Sequence, residues 1–459
     1  MMAKPDLIII GAGPAGMAAA ATAANGGLKV HLLDDQPAAG GQVYRNITRN
    51  QDRLTHLGPE YTKGIPLADA LDHPNITHVA GAAVWRIDDT PTVWYSLHGK
   101  SHAIHADHVL IATGAQERPV PFAGWTLPGV MPAGAAQILM KSSDLLPKDA
   151  VLAGSGPLLY LIAVQMIEAG QPPVAMVETQ TPQMMMRAVR HLPRALLDRQ
   201  QIFKGLAMLR KIRAARIPRY TAAHSFKAQI QDDLLDFEFT SKGETHHLKC
   251  ALVLSHQGII PATHLTRSAG IPHKWHKAQQ CWHPDHDTEG RTARPGLWVA
   301  GDSAGILGAD AARAQGVITA NAIICAVRGL RPSIASHVNA HAINHRNRAQ
   351  AIRAFLDAAY AVPPEINTPP DDTILCRCEE ITAGTIRQAI HDGATELRHL
   401  KTATRIGMGP CQGRQCDLSL THMLAAQTQR PIATVGMPRA RSPVRPVSLG
   451  EIAALEQTD

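Results

Sequence analysis

Apolar runs punctuated by glycine organise the first two-thirds of the chain. Residues 7–10 (LIII) end at Gly11-Ala-Gly13-Pro-Ala-Gly16, and an alanine-rich stretch leads to a second run, 29–33, closed by Asp34. An unbroken apolar run has no polar face, which predicts a strand buried on both sides, as parallel strands under helices are. Residues 150–178 repeat the order of strand, glycine turn, apolar helix and strand, ending at Glu178. Further runs lead into Thr113-Gly114, His256 and Gly301-Asp302. Strands alternating with helices in this way predict an α/β protein with parallel sheets. Beyond residue 330 the pattern changes. NRAQAIRAFLDAAY (347–360) has helical periodicity, VPPEINTPPDD (362–372) is a proline-rich linker, and residues 381–404 read as two short helices. The tail PRARSPVRPVSLGEIAALE is too polar to fold alone, so it lies on this chain or reaches a partner.

The first glycine turn has the spacing of a dinucleotide-binding fingerprint. Gly11 makes the tight turn, Gly13 lets backbone approach a pyrophosphate, and Gly16 lets helix pack on strand. The helix N-terminus attracts phosphates and Asp34 suits ribose hydroxyls. The second unit keeps Gly154, Gly156 and Glu178, but Leu159 stands at the third glycine position. A large side chain there holds helix and strand apart, so the expectation is a retained fold rather than an NAD(P) site.

The chain has 459 residues, 45% hydrophobic and 18% charged, which places it among globular proteins of two or three domains. No stretch is long and apolar enough to span a membrane, and the N-terminus lacks a signal peptide's basic start; a cytoplasmic location is expected. The formal net charge is +7. Residues 183–220 hold ten Lys/Arg against Asp198 alone. Only Phe203 and Tyr220 interleave them, so nucleic-acid binding is not expected. A docking surface for an acidic partner protein fits better, with solvated helix faces as the alternative. None of the 24 histidines is assignable as an acid–base group, and no catalytic residue is assigned. His256, after an apolar strand, is the one to watch, with a structural role expected.

Seven cysteines in a chain of this kind argue against structural disulfides. Cys250, Cys281 and Cys325 are isolated and read as packing residues. The other four fall in CRCEE (376–380) and GMGPCQGRQC (407–416), a glycine-rich loop with no evident core to bury its thiols. The pattern is C-x-C, then C-x4-C; no CxxC exists, so a dithiol beside the first nucleotide turn is not expected. Four thiolates suit zinc or an iron–sulfur cluster, though zinc sites usually begin with a wider pair. Arg377, Lys401, Arg405 and Arg414 add positive charge, and Gly407, Gly409 and Gly413 free N–H groups to approach sulfur, both suited to an anionic cluster.

Gly40-Gly41-Gln42, HVLIATGAQERP and LWVAGDSAGILGADAARAQG, following the first fingerprint, resemble the glutathione-reductase-like flavoproteins. That resemblance implies two Rossmann-like dinucleotide-binding domains and an FAD site. Its residues would be Gly11, Gly13, Pro14, Ala15, Gly16, Asp34, Asp35, Gln36, Gly41, Gln42, Val84, Thr113, Gly114, Gly301, Asp302, Ala312 and Gln315. Asp302 would bind the ribitol, and 311–315 would lie near the ring. The cysteine segment resembles the small helical, bacterioferritin-associated-ferredoxin-like [2Fe–2S] domain, implying Cys376, Cys378, Cys411 and Cys416 as metal ligands. Nearly end to end, the chain resembles the alpha (A) subunits of heteromeric FAD/[2Fe–2S] amino-acid dehydrogenases and oxidases. These include the A chains of opine oxidases, the alpha chain of D-hydroxyproline dehydrogenase, the B chain of hydrogen cyanide synthase and, more distantly, the alpha chain of sarcosine oxidase. The family implies a catalytic FAD-dependent, amino-acid-oxidase-like beta subunit. It also allows FMN at the interface and a small third subunit.

The expected organisation is a split FAD-binding domain (1–125 and 256–330) with an inserted NAD(P)-binding-like domain (126–255). A helical connector and linker (331–372), a [2Fe–2S] domain (373–426) and a tail (427–459) follow. The expected function is an electron-transfer subunit whose partner oxidises an amino or imino acid. The alternatives are a stand-alone NAD(P)H-dependent flavin/iron–sulfur reductase and a non-catalytic redox scaffold or sensor.

Overall fold

The computed structural model describes residues 4–50, 57–330 and 339–455, so 331–338 of the connector and 456–459 of the tail lie outside the described residues. Strand Leu7–Ile10 lies at the centre of a five-stranded parallel sheet. His108–Ile111 and then Leu297–Val299 lie on one side, Val30–Asp34 and then Ile76–Ala80 on the other. The apolar run splits by alternation. Leu7 and Ile9 face a helical layer, Pro14–Asn25 and Ala309–Val327, while Ile8 and Ile10 face a three-stranded antiparallel sheet, Ala83–Ile87, Thr92–Leu97 and Lys100–His105. Both faces are covered, which is why the sequence shows no polar alternation.

The second unit repeats this plan. Its parallel sheet is ordered Arg219–Tyr220, Ala175–Glu178, Ala150–Ser155, Leu252–Gln257, Val130–Pro132. Helices cover one face through Leu159, Ile162 and Met166. The antiparallel sheet His224–Gln231, Leu234–Ser241 and Glu244–Cys250 covers the other through Phe237 and Phe239. The duplication therefore includes the antiparallel insert, which the glycine motifs alone do not announce. Strand Leu252–Gln257 lies wholly in the second sheet, so the crossing back follows Gln257. There Ile259–Pro261 pairs with Ala115–Glu117.

Helix Ala340–Ala359 packs against Ala309–Val327 and Pro182–Val189. It leads to a small domain: a hairpin, Ile374–Cys376 with Ile381–Thr382, and helices Ala383–His391, Leu397–Thr404 and Asp417–Gln427. Its core joins Leu375, Ile386, Leu400, Leu420 and Leu424. Of the two expectations for the tail, the structure shows the first. The Val444 N–H donates to Trp85 O at 3.0 Å, and helix Leu449–Ala453 packs beside Lys100–His105. Among the described residues no helix is long and apolar enough to cross a membrane.

Candidate functional site

A cavity of about 660 Å³ opens at the carboxyl ends of the first sheet's strands, within the range typical of ligand pockets. Gly11, at the end of its strand, has φ +105° and lies against the Ala112 carbonyl, where a Cβ would collide. Gly16 sits over the Gly11 carbonyl with no room for a side chain. Helix Pro14–Asn25 starts at Gly13 with no side-chain cap, which leaves first-turn N–H groups to meet an anion. Gly11, Gly13, Pro14, Ala15, Asp34, Asp35, Gln36, Gly41, Gln42, Val84, Thr113, Gly114, Asp302 and Ala312 all line this cavity. Gly301 and Gln315 line an adjoining space of about 780 Å³, which shares Asp302 and Ala312. Gly16 packs behind the wall.

The acidic residues are held in place by backbone. Asp34, 6% exposed, accepts the Ala12 N–H on one oxygen and the Gln36 N–H at 2.7 Å on the other. Burial still pushes its carboxyl above the usual range. Asp302 accepts the N–H groups of Leu307 (3.0 Å) and Gly308 (3.1 Å). These donors are neutral, so both carboxylates keep lone pairs for hydroxyl donors. Lys141 escaped the sequence reading. It is buried, donates to Gln42 O at 3.1 Å, and is held down to about 7 by burial with Arg45 nearby. A lone lysine in a predicted helix carries no signal of such a contact.

The second unit's counterpart is closed. Glu178, 1% exposed, takes both Arg219 Nε (2.8 Å) and Nη2 (3.0 Å) and the Tyr160 hydroxyl. Leu159 is fully buried at the third glycine position. His256 lies against Gly156 and pairs through Nδ1 with Glu117 Oε1 at 2.6 Å, while Glu117 Oε2 accepts the Gly134 N–H at 2.8 Å. The acid and turn that would receive a nucleotide are spent on internal partners.

Around the four cysteines the sequence expectation is corrected. Cys376 and Cys416 are 1% and 0% exposed and belong to the small domain's core; Cys378 and Cys411 are half-buried. Among the thiols, Cys416 acts most strongly on Cys376 and Cys411 most strongly on Cys378. The Cys416 thiol, with the N–H groups of Gly407, Glu379 and Cys378, holds Cys376 down to about 5, and Cys416 is pushed up in return. Gly409 is required by close approach, because a Cβ would strike Cys378. Among the described residues no three His, Cys, Asp or Glu side chains gather tightly enough for a single metal ion. Of the four flanking cations, Arg377 is exposed, Arg405 pairs with Glu379 at 3.0 Å and Arg414 donates to the Cys411 and Val444 carbonyls, both at 3.0 Å. Lys401 lies close enough to Asp417 to favour its carboxylate form.

The cysteine loop also forms part of the nucleotide-side cavity. Pro410 and Arg414 line it, as do His264, Val444 and Arg445. Gln116 donates to Arg414 O at 3.1 Å, and His264 Nε2–H donates to Gln412 O at 3.0 Å. Arg267 clasps Asp417 with two N–H groups at 3.0 Å.

A family profile described as pyridine nucleotide-disulphide oxidoreductase matches residues 5–316, and one described as sarcosine oxidase A3 domain matches 373–456. The A chain of opine oxidase from Agrobacterium tumefaciens (strain Ach5) is 40% identical, the alignment covering 99% of this chain and 92% of that one. The HcnB chain of hydrogen cyanide synthase from Pseudomonas aeruginosa is 31% identical, with 96% of each chain covered. L-proline dehydrogenase from P. horikoshii superposes with a TM-score of 0.71 at 18% identity, covering 98% of this chain and 79% of that one, a likeness of fold.

Proposed function

We propose a function on one footing: the chain belongs to the pyridine nucleotide-disulphide oxidoreductase family and, within it, to the group that holds the opine oxidase A chains. It is an oxidoreductase of an FAD-binding family. The proposed role is the FAD- and [2Fe–2S]-carrying subunit of a heteromeric enzyme whose partner flavoprotein oxidises an amino or imino acid of the opine or D-hydroxyproline kind and whose electrons leave to an external acceptor. The observation that carries this reading is that Pro410 and Arg414, beside Cys411 and Cys416, line the same cavity as Gly11, Gly13 and Asp34.

The residues present fit both groups. Gly11, Gly13 and the uncapped helix N-terminus suit a pyrophosphate, Asp34 ribose hydroxyls, and Asp302 the ribitol. Cys376, Cys378, Cys411 and Cys416 are the four thiolates that would hold a binuclear cluster. When bound, FAD supplies two-electron chemistry and the cluster one-electron chemistry. The chain's own work is to position them: Gly407, Glu379 and Cys378 N–H groups stabilise thiolate, the Arg267–Asp417 clasp fixes the cysteine loop to the nucleotide unit, and Val444 and Arg445 close the cavity from the tail. A small third subunit, with FMN at an interface, is part of the same proposal on the family's account.

The test is anaerobic purification of the chain with its partner flavoprotein, followed by elemental analysis and reduction by opines, D-hydroxyproline and NADH in parallel. Iron and sulfide in equal amounts, with reduction by the amino acid through the complex, are expected. Zinc in place of iron, or rapid reduction of the isolated chain by NADH, would sink the reading.

A further inference from the structure

Helix Arg199–Ala214, in the second unit, has an inner face that buries Ile212 beside Met208 and Leu209. Its outer stripe, at alternating three- and four-residue steps, is Phe203, Leu206, Arg210 and Arg213, all exposed. A solvent-facing stripe is ordinarily polar throughout. Here Phe203 is 66% and Leu206 56% exposed, and the turn just before them adds Leu197 at 65% and Leu196 at 49%. Four large apolar side chains are thus exposed within eleven residues of chain, a concentration of the kind found at interaction sites.

The charges around the patch say what covers it. Both lysines of the helix are spent within the chain, Lys204 on Glu60 at 3.3 Å and Lys211 on Glu168. The cations left at the rim are arginines: Arg194, Arg199, Arg210 and Arg213. Protein interfaces favour aromatic residues, Met and Arg and are poor in Lys, whereas a helix lying on a bilayer takes Lys and Arg alike with Trp among its apolar anchors. Arginine's planar fork also matches a carboxylate with two parallel hydrogen bonds. An apolar centre ringed by arginine fits an acidic protein surface better than lipid phosphate.

We propose that the face built on Leu196, Leu197, Phe203 and Leu206 docks the partner flavoprotein, which presents an apolar insert ringed by Asp and Glu. The proposal rests on the heteromeric function above and adds where the two chains meet. It also gives the second unit, whose nucleotide turn is closed, a use.

The experiment compares the purified complex with complexes carrying Leu197→Glu/Phe203→Glu or Arg199→Glu/Arg210→Glu. Affinity between the two chains is read by sedimentation, and hydrogen exchange is followed at amides 192–214 in free and assembled chain. Expected are protection of those amides on assembly, a loss of affinity of roughly 30-fold or more for the apolar pair, and a steeper loss with salt for the charge-reversed pair, with flavin and cluster absorbance unchanged. A complex that forms in the parent with unprotected amides and survives both variants overturns the interface and leaves the function standing. A parent chain that binds no partner flavoprotein overturns both. Binding of the free chain to phosphatidylglycerol vesicles, abolished by Phe203→Glu while the complex persists, assigns the face to a membrane and overturns the proposal. Self-association abolished by the same variant assigns it to a second copy and overturns it equally.

Discussion

Replacing Arg219 by alanine tests whether Glu178 has been diverted from nucleotide binding to structure. Glu178 Oε1 and Oε2 receive the guanidinium fork, and the carboxylate side chain is 1% exposed against 28% for Arg219. Removing one member of a buried pair strands the other charge, at a cost of about 3–5 kcal/mol. Because Arg219 is partly exposed and water can enter its place, the lower figure applies, about 3 kcal/mol, or roughly a hundredfold in the opening equilibrium. The Tyr160 hydroxyl remains and keeps one hydrogen bond, worth about 1 kcal/mol. Neutralising the survivor should restore most of the loss, so Arg219→Ala/Glu178→Gln should be more stable than Arg219→Ala by about 2 kcal/mol. The assay is hydrogen exchange at the amides of strand Ala175–Glu178, which reports opening of this unit without assuming that the whole chain unfolds in one step. NADH binding is measured alongside by quenching of protein fluorescence. Equal stabilities for Arg219→Ala and the parent would refute the structural reading, as would parent NADH binding that Glu178→Gln abolishes.

Three further outcomes follow from the geometry. Gly11→Ala places a methyl against the Ala112 carbonyl at φ +105°, a backbone strain of about 1–3 kcal/mol, and should release flavin on gel filtration while circular dichroism shows the fold retained. On the proposed cluster reading, Cys411→Ser should lower iron and sulfide per chain and bleach the visible absorbance they give, with the flavin spectrum and the exchange protection of strand Leu7–Ile10 unchanged. Burial depresses His273 to about 4 and His283 to about 3. The unfolded chain therefore binds more protons than the folded one between those values and the ordinary 6.5, and stability falls as pH drops through that window. The urea midpoint should decline from pH 7 to pH 5, and His283→Gln should flatten the decline; an unchanged slope would refute the assignment.

Elements whose cause lies within some thirty residues were legible in the sequence. The LIII run declared a strand covered on both faces, and the two faces are now identified as a helix pair and an antiparallel insert. The fingerprint glycines declared a turn that only Gly permits, and Gly11 and Gly16 confirm why in steric terms. What escaped lies across long stretches of chain and carries no period. Gln116 meets Arg414, Arg267 meets Asp417, and Val444 meets Trp85, contacts that bring cysteine loop and tail to the cavity. The burial of Cys376 and Cys416 escaped for the same reason, since their core comes from helices 383–391 and 417–427 rather than from the loop.

The paired glycine units show what a motif leaves undecided. Among the three fingerprint glycines they differ at one position, Gly16 against Leu159. In space they also differ in what holds the acid. Asp34 is steadied by two neutral N–H groups and keeps acceptor capacity for a hydroxyl, whereas Glu178 is neutralised by a guanidinium and capped by a phenol. The turn differs likewise: the first opens on a cavity, and the second lies against His256, itself fixed by Glu117. A cation beside the acid and an imidazole beside the turn compete for the groups a nucleotide needs. Restoring glycine at 159 would thus let helix and strand pack closer without restoring a binding site, because Arg219 would still hold Glu178 and His256 would still lie against the turn.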